Sequence, residues 1–212
     1  MSAFTELSQL IFPGRCFGCR ALGPSICSAC RSDWHPHYYK TKFDALTVHS
    51  ALLYTPTASK IILAAKESGL KGADELLIDA ITHVLSKVIP NNTLYRLVPV
   101  PSSKPSQRRR GRSFVVDLVS QISQRTGIPM IDCLQLSRRV QDQSGLHRDE
   151  RAINLAGAFS LTSHARGELI LVDDVVTTGA TLREAARAVN SQGFQAVGSV
   201  TAITACVAQP LR

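Results

Sequence analysis

The segment LILVDDVVTTGAT at positions 169–181 constrains this chain more than any other. Leu169, Ile170, Leu171 and Val172 have no polar residue between them, which suits a strand covered on both faces rather than one with a wet side. The run ends in two adjacent carboxylates, Asp173 and Asp174. Desolvating two like charges at a strand end is costly unless a ligand or metal uses them. Thr177, Thr178, Gly179, Ala180 and Thr181 then form a short bend of small and hydroxyl residues that opens a helix. Backbone N–H groups and the helix dipole favour a phosphate there. No Gly-Lys-Ser/Thr follows, so this is not a nucleoside-triphosphate P-loop. A plain strand-turn-helix with a threonine N-cap accounts for Thr181 and leaves both aspartates unexplained.

The flanking sequence alternates strand and helix patterns. Residues 44–54 read as a first strand, and 72–88 as a helix with Leu77, Ile81, Val84, Leu85 and Val88 at three- and four-residue steps. Residues 94–100 form an apolar strand closed by Pro99 and Pro101. Residues 113–126 return to helix, with Phe114, Leu118 and Ile122 on one face and Gly127 as the stop. A short strand near Ile131, strands at 158–161 and 169–173, a helix at 181–189 and a last strand at 196–205 complete the pattern. The alternation predicts an α/β fold: a mostly parallel twisted sheet with helices on both faces, whose ligands collect at the carboxyl ends of the strands. With 212 residues, 44% of them hydrophobic, the chain suits one full domain (41–212) and a small N-terminal module (1–40). No run nears the ~18 apolar residues of a membrane span, so no membrane insertion is expected. Met1 to Phe12 lacks a basic and a long apolar segment, so export is not expected and a reducing cytoplasm is the expected location.

In that compartment clustered cysteines mean metal or redox chemistry rather than disulfides. Cys16 and Cys19 make one C-x2-C pair, and Cys27 and Cys30 a second. Two such knuckles supply the four thiolates of a structural zinc site, closed to catalysis because all four positions are protein sulfur. Forty residues bury too little apolar area to fold alone, and metal ligation supplies the missing free energy. A redox dithiol or an iron–sulfur cluster are the alternatives. His35 and His37 read as surface histidines, and Cys133 and Cys206 as small core residues.

The net charge of +8 is not evenly spread. Lys104, Arg108, Arg109, Arg110 and Arg112 fall in one stretch, and Arg138, Arg139, Arg148 and Arg151 in another. Both read as loops built to meet anions, whether a phosphorylated ligand, single-stranded nucleic acid or solvent alone. Trp34, Tyr38 and Tyr39 offer either stacking surfaces for bases or packing for the cysteine module.

VDDVVTTGAT resembles the phosphoribosyl pyrophosphate motif of type I phosphoribosyltransferases. Three features narrow the resemblance: the four cysteines, the segment LVPVP at 97–101 followed by RRRGR at 108–112, and QSGL at 143–146 running on to RAINLAGAF at 151–159. Together they are similar to the ComF family of late-competence proteins, which is associated with DNA uptake. The resemblance implies a type I phosphoribosyltransferase-like fold in which Asp173 and Asp174 hold ribose hydroxyls and Thr177, Thr178, Gly179, Ala180 and Thr181 cradle the 5-phosphate. It places Ser102, Ser103 and Lys104 against the pyrophosphate, with Arg108, Arg109, Arg110 and Arg112 behind them. Residues 137–154 become a closing lid, and Mg2+ bridges the pyrophosphate oxygens. The lysine-glycine stretch at 66–71 matches that family loosely, because Ala65 and Glu67 depart from its pattern. The expected activity is transfer of a phosphoribosyl group to an acceptor. The alternative is a single-stranded DNA-binding competence protein, partnered by a transformation helicase or DNA-processing proteins, with the sugar-phosphate site vestigial or regulatory.

Overall fold

The computed structural model describes residues 14–89, 95–138, 154–163, 167–191 and 200–207, with the backbone alone for 104–106 and 200–203. After the cysteine module, which carries the short helix α1 (Ser28–Asp33), come β1 (Tyr39–Phe43), β2 (Leu46–Leu53), α2 (Pro56–Ser68), α3 (Lys71–Val88) and β3 (Tyr95–Pro99). The second half holds α4 (Lys104–Arg110), α5 (Phe114–Thr126), β4 (Leu134–Leu136), β5 (Phe159–Leu161), β6 (Glu168–Val176), α6 (Ala180–Ser191) and β7 (Val200–Val207). Five strands form one sheet in the order β1-β2-β7-β6-β3, while β4 and β5 pair separately. Only the β1–β2 pairing of the large sheet is antiparallel among the described residues; β2–β7, β6–β7 and β3–β6 are parallel. The mixed α/β architecture with a mostly parallel sheet is the one the alternation predicts.

Each face of the sheet carries its own core. Ile170 and Val172 of β6 face Ile61, Leu77, Ile81, Phe114, Leu118 and Ile122 from α2, α3 and α5. Leu169 and Leu171 face Leu182, Ala185 and Val189 of α6, together with Leu134 and Phe159 of the small sheet. Alternation along β6 therefore feeds two cores, which is why its sequence shows no polar period.

Several elements differ from the sequence reading for identifiable reasons. The strand expected from position 44 is a hairpin: Asp44 takes a left-handed turn at φ 53° and the chain before it pairs back on β2. The helix α2 has all its signals in place. Thr55 accepts a hydrogen bond from the Ala58 amide at 3.1 Å, Pro56 opens the first turn, and Gly69 closes the last at φ 61°. The first basic stretch is largely the helix α4 rather than a loop. Near Ile131 there is one bridge, Leu97 to Met130, and the short strand follows at Leu134–Leu136 outside the large sheet. Of the last expected strand, residues 196–199 lie outside the described residues, and β7 runs on to Val207.

The cysteine module sits on the α2–α3 layer. Phe17, Ile26 and Trp34 belong to the same buried cluster as Ile61, Ile62 and Leu77. Trp34 is 3% exposed and is therefore a packing residue with no face free for a base. Thr57 of α2 donates to Asp33 at 2.7 Å, and a Cβ on Gly72 of α3 would stand 3.2 Å from the Phe17 ring. No helix among the described residues is long and apolar enough to cross a membrane.

Candidate functional site

β6 brings its acids to the carboxyl half of the sheet but does not stop at them. Asp173 pairs in register with Thr204 of β7, and the strand runs three residues further to Val176. Asp174 is 4% exposed, while Asp173 is half-buried and lines a cavity of about 20 Å3 with residues 175–182. That volume is on the order of one water-sized group. Gly179 forms the bend at φ 72°, and a Cβ there would lie 2.5 Å from the Phe43 ring. Only glycine fits between the bend and the β1–β2 hairpin. Asp44 in the hairpin turn then meets Arg183 of α6 at 2.6 Å, which fixes the hairpin beside the bend.

The two acids have unlike surroundings. Lys66 of α2 places Nζ 2.7 Å from Asp174 Oδ2, and the Asp174 amide donates to Asp173 Oδ1 at 2.9 Å. Burial works to raise both carboxyls, but at Asp174 the Lys66 ammonium, together with hydrogen bonds to Asp173 and Lys66, outweighs it and holds the group below the usual carboxylate range. At Asp173 burial and the neighbouring Asp174 charge act together and lift the carboxyl well above that range. A carboxyl raised in the folded state favours folding while it keeps its proton, and that contribution is lost as pH rises from the unfolded value through the folded one. Asp173→Asn is accordingly expected to raise the thermal midpoint at neutral pH and to leave it nearly unchanged below about pH 4, where the unfolded carboxyl is also protonated. A calorimetric scan at both pH values checks this, and a lower neutral midpoint would contradict it.

The β3–α4 connection lies beside these acids, because Val100 donates to the Val172 carbonyl at 2.9 Å. Ser102 and Ser103 are half-buried there, and their carbonyls accept from the Gln107 side chain and amide, each at 3.0 Å. The Lys104 side chain lies outside the described residues, as do Arg139, Arg148 and Arg151. The remaining cations are unevenly available. Arg108 and Arg109 are exposed, with Arg109 Nε 3.7 Å from Glu67. Arg110 is bound to Glu67 at 2.9 Å, with its side chain 7% exposed. Arg112 forks onto Asp74 at 2.7 and 2.9 Å, donates to the Ala65 carbonyl at 2.6 Å and lies over the Phe114 ring. It faces inward and ties helices together. Arg138 donates to the carbonyls of Asn154 and Ala156.

The four module cysteines converge: their sulfurs all lie within 4.8 Å of one another, with Cys19 and Cys27 at 3.7 Å. Zinc–sulfur bonds of about 2.3 Å in a tetrahedron put the sulfurs about 3.8 Å apart, so the set fits a metal ion. Burial works to raise Cys16, yet the amides of Cys19, Cys27 and Gly18 outweigh it and bring the thiol down to about 6. Burial and the neighbouring thiols push Cys30 up to about 12. Such a set ionises in full only against a cation. His35 and His37 are exposed and outside the cluster, and Cys133 and Cys206 are fully buried core residues.

Residues 108–209, which carry α5, β6, the threonine bend and α6, match the family model described as phosphoribosyl transferase domain. Together with the sheet and the acid-then-threonine geometry, that match defines the class: a type I phosphoribosyltransferase-like α/β protein. Competence protein F of Haemophilus influenzae is 32% identical over 106 residues, a stretch that makes up 48% of this chain and 46% of that relative. The chain thus spans about half the length of the curated relative it matches. Over these stretches the chain is similar to a phosphoribosyl transferase domain and to Competence protein F.

Sequence reasoning met Lys66 only as part of the loosely matching lysine-glycine stretch and passed over Asp74; the two are the internal partners of Asp174 and Arg112. Their signal was a charged residue inside an otherwise apolar helix face, which a buried position tolerates only with a partner.

Proposed function

We propose that the protein binds phosphoribosyl pyrophosphate at the end of β6, as a phosphoribosyltransferase-like protein acting in competence. The observation that carries this reading is the half-buried Asp173 opening into the same small cavity as the bend at residues 175–182. Asp173, with Asp174 behind it, takes the ribose hydroxyls, and Thr177, Thr178, Gly179, Ala180 and Thr181 receive the 5-phosphate at the start of α6. Ser102, Ser103 and Lys104 address the pyrophosphate from the β3–α4 connection. Mg2+ bound to the pyrophosphate oxygens would neutralise the leaving group. Expulsion of that group from C1 would then pass a phosphoribosyl unit to an acceptor through a cationic sugar transition state. Zinc at Cys16, Cys19, Cys27 and Cys30 is structural, and four thiolate ligands suit a cytoplasmic location. A pure single-stranded DNA clamp has less support, since Arg110 and Arg112 are committed to Glu67 and Asp74 and Trp34 is buried.

Calorimetric titration of phosphoribosyl pyrophosphate is the test. Binding should require Mg2+, persist in moderate salt, and fall on the order of tenfold to a hundredfold in Asp173→Asn, the range of a lost hydrogen bond to a charged group. No heat of binding with Mg2+ present would remove the proposal.

A further inference from the structure

The last turn of α2 contributes one charge to the acid pair. Lys66 lies 108 residues from Asp174 along the chain, yet its ammonium meets that carboxylate at 2.7 Å, with side-chain exposures of 26% and 6%. The turn itself is tied on both sides of the lysine. Ala65 accepts from Arg112 at 2.6 Å, and Glu67 accepts from Arg110 at 2.9 Å. From Lys66 the contacts continue through Asp174, whose amide holds Asp173 Oδ1, to the acid that lines the cavity at the bend among the described residues.

We infer that Lys66 is a positioning residue: it neutralises Asp174 and so leaves Asp173 as the single carboxyl presented to the ligand, held by the Asp174 amide. The inference rests on the sugar-phosphate reading and assigns the two neighbouring acids unlike duties. Without Lys66, Asp174 is an uncompensated carboxylate, buried beside a second one and close to where a phosphate would sit. Relief then comes by taking up a proton or by turning away, and either change disturbs the amide that orients Asp173. A lysine that touched phosphate directly would act as a point charge. Its loss would weaken binding whatever charge Asp174 carried.

That difference gives the experiment. Phosphoribosyl pyrophosphate with Mg2+ is titrated into the unaltered chain, Lys66→Met, Lys66→Arg, Asp174→Asn and the double variant Lys66→Met with Asp174→Asn. Lys66→Met is expected to bind about tenfold more weakly or worse, and Lys66→Arg to restore most of the loss. The double variant should bind within about twofold of Asp174→Asn alone, the spread of additive measurements, because a neutral residue at 174 no longer needs a cation. The comparison between the double variant and Asp174→Asn holds even where Lys66→Met fails to fold. A double variant several-fold weaker than Asp174→Asn would show Lys66 acting on the ligand itself and would overturn the inference alone. Absence of binding by the unaltered chain would overturn the functional reading and the inference with it.

Discussion

Removing the metal from the cysteine module is expected to lower the thermal midpoint of the whole chain by about 10 °C or more, and Cys30→Ser to do the same. A closed four-thiolate zinc site contributes ~10–16 kcal/mol to the fold of a small module. If a third of that reaches the rest of the chain, a protein of this size loses about 2–4 °C for each kcal/mol. The transmission route is packing. Cys16 and Cys30 are buried in the cluster that holds Phe17, Ile26 and Trp34 against Ile61, Ile62 and Leu77, so an unfolded module exposes the outer faces of α2 and α3. Gly18 shows how closely the module is built, since a Cβ there would fall 2.7 Å from Cys30 Sγ and 3.0 Å from the Thr57 methyl. Calorimetric melting with and without a strong chelator, beside metal analysis of the purified protein, reads the effect. A midpoint indifferent to chelation, or metal-free protein that melts normally, would refute the structural-zinc assignment.

What could be read from the residues alone follows from the range of the forces involved. The helices α3, α5 and α6 are local periodic patterns, and Leu77, Ile81, Leu118, Ile122 and Val189 all prove buried. The acids and the threonine bend were legible because a carboxylate pair after four aliphatic residues conflicts with burial, and such conflicts concentrate at sites. The hairpin at Asp44 was missed because its left-handed turn residue is not glycine. The ion pairs were beyond reach for another reason. Lys66 with Asp174 and Arg112 with Asp74 join residues 108 and 38 positions apart, and no spacing rule connects them. Charge density marked two arginine-rich stretches and said nothing about which of the described arginines faced water. α4 became a helix rather than an open loop at a place where Glu67 and Asp74, from the preceding helices, meet its arginine and the one that follows it.

The second large effect belongs to that inward arginine. Arg112→Met is expected to destabilise the protein by about 3–5 kcal/mol, the usual cost of leaving one member of a buried pair without its partner. Asp74 has a side chain 5% exposed and receives both Arg112 nitrogens, so the orphaned carboxylate has little access to water. The Ala65 carbonyl at the end of α2 loses a donor as well, and the Phe114 ring loses the guanidinium above it. Asp74→Leu combined with Arg112→Met should recover most of the loss, because an apolar pair of similar volume satisfies the same site without desolvating charge. Denaturant titration of the single and double variants measures both values. The same pair of variants separates two uses of the basic stretch. An arginine that tracked a nucleic-acid backbone would leave stability unchanged on removal and reduce the salt dependence of binding by about one ion. Arg112→Met should instead show the stability loss with the salt dependence intact, whereas Arg109, 59% exposed and only 3.7 Å from Glu67, should show the reverse if any polyanion binds this face. A stable Arg112→Met variant would mean that the tie between α2, α3 and α5 does not hold them together, and that the arginine is available to a ligand after all.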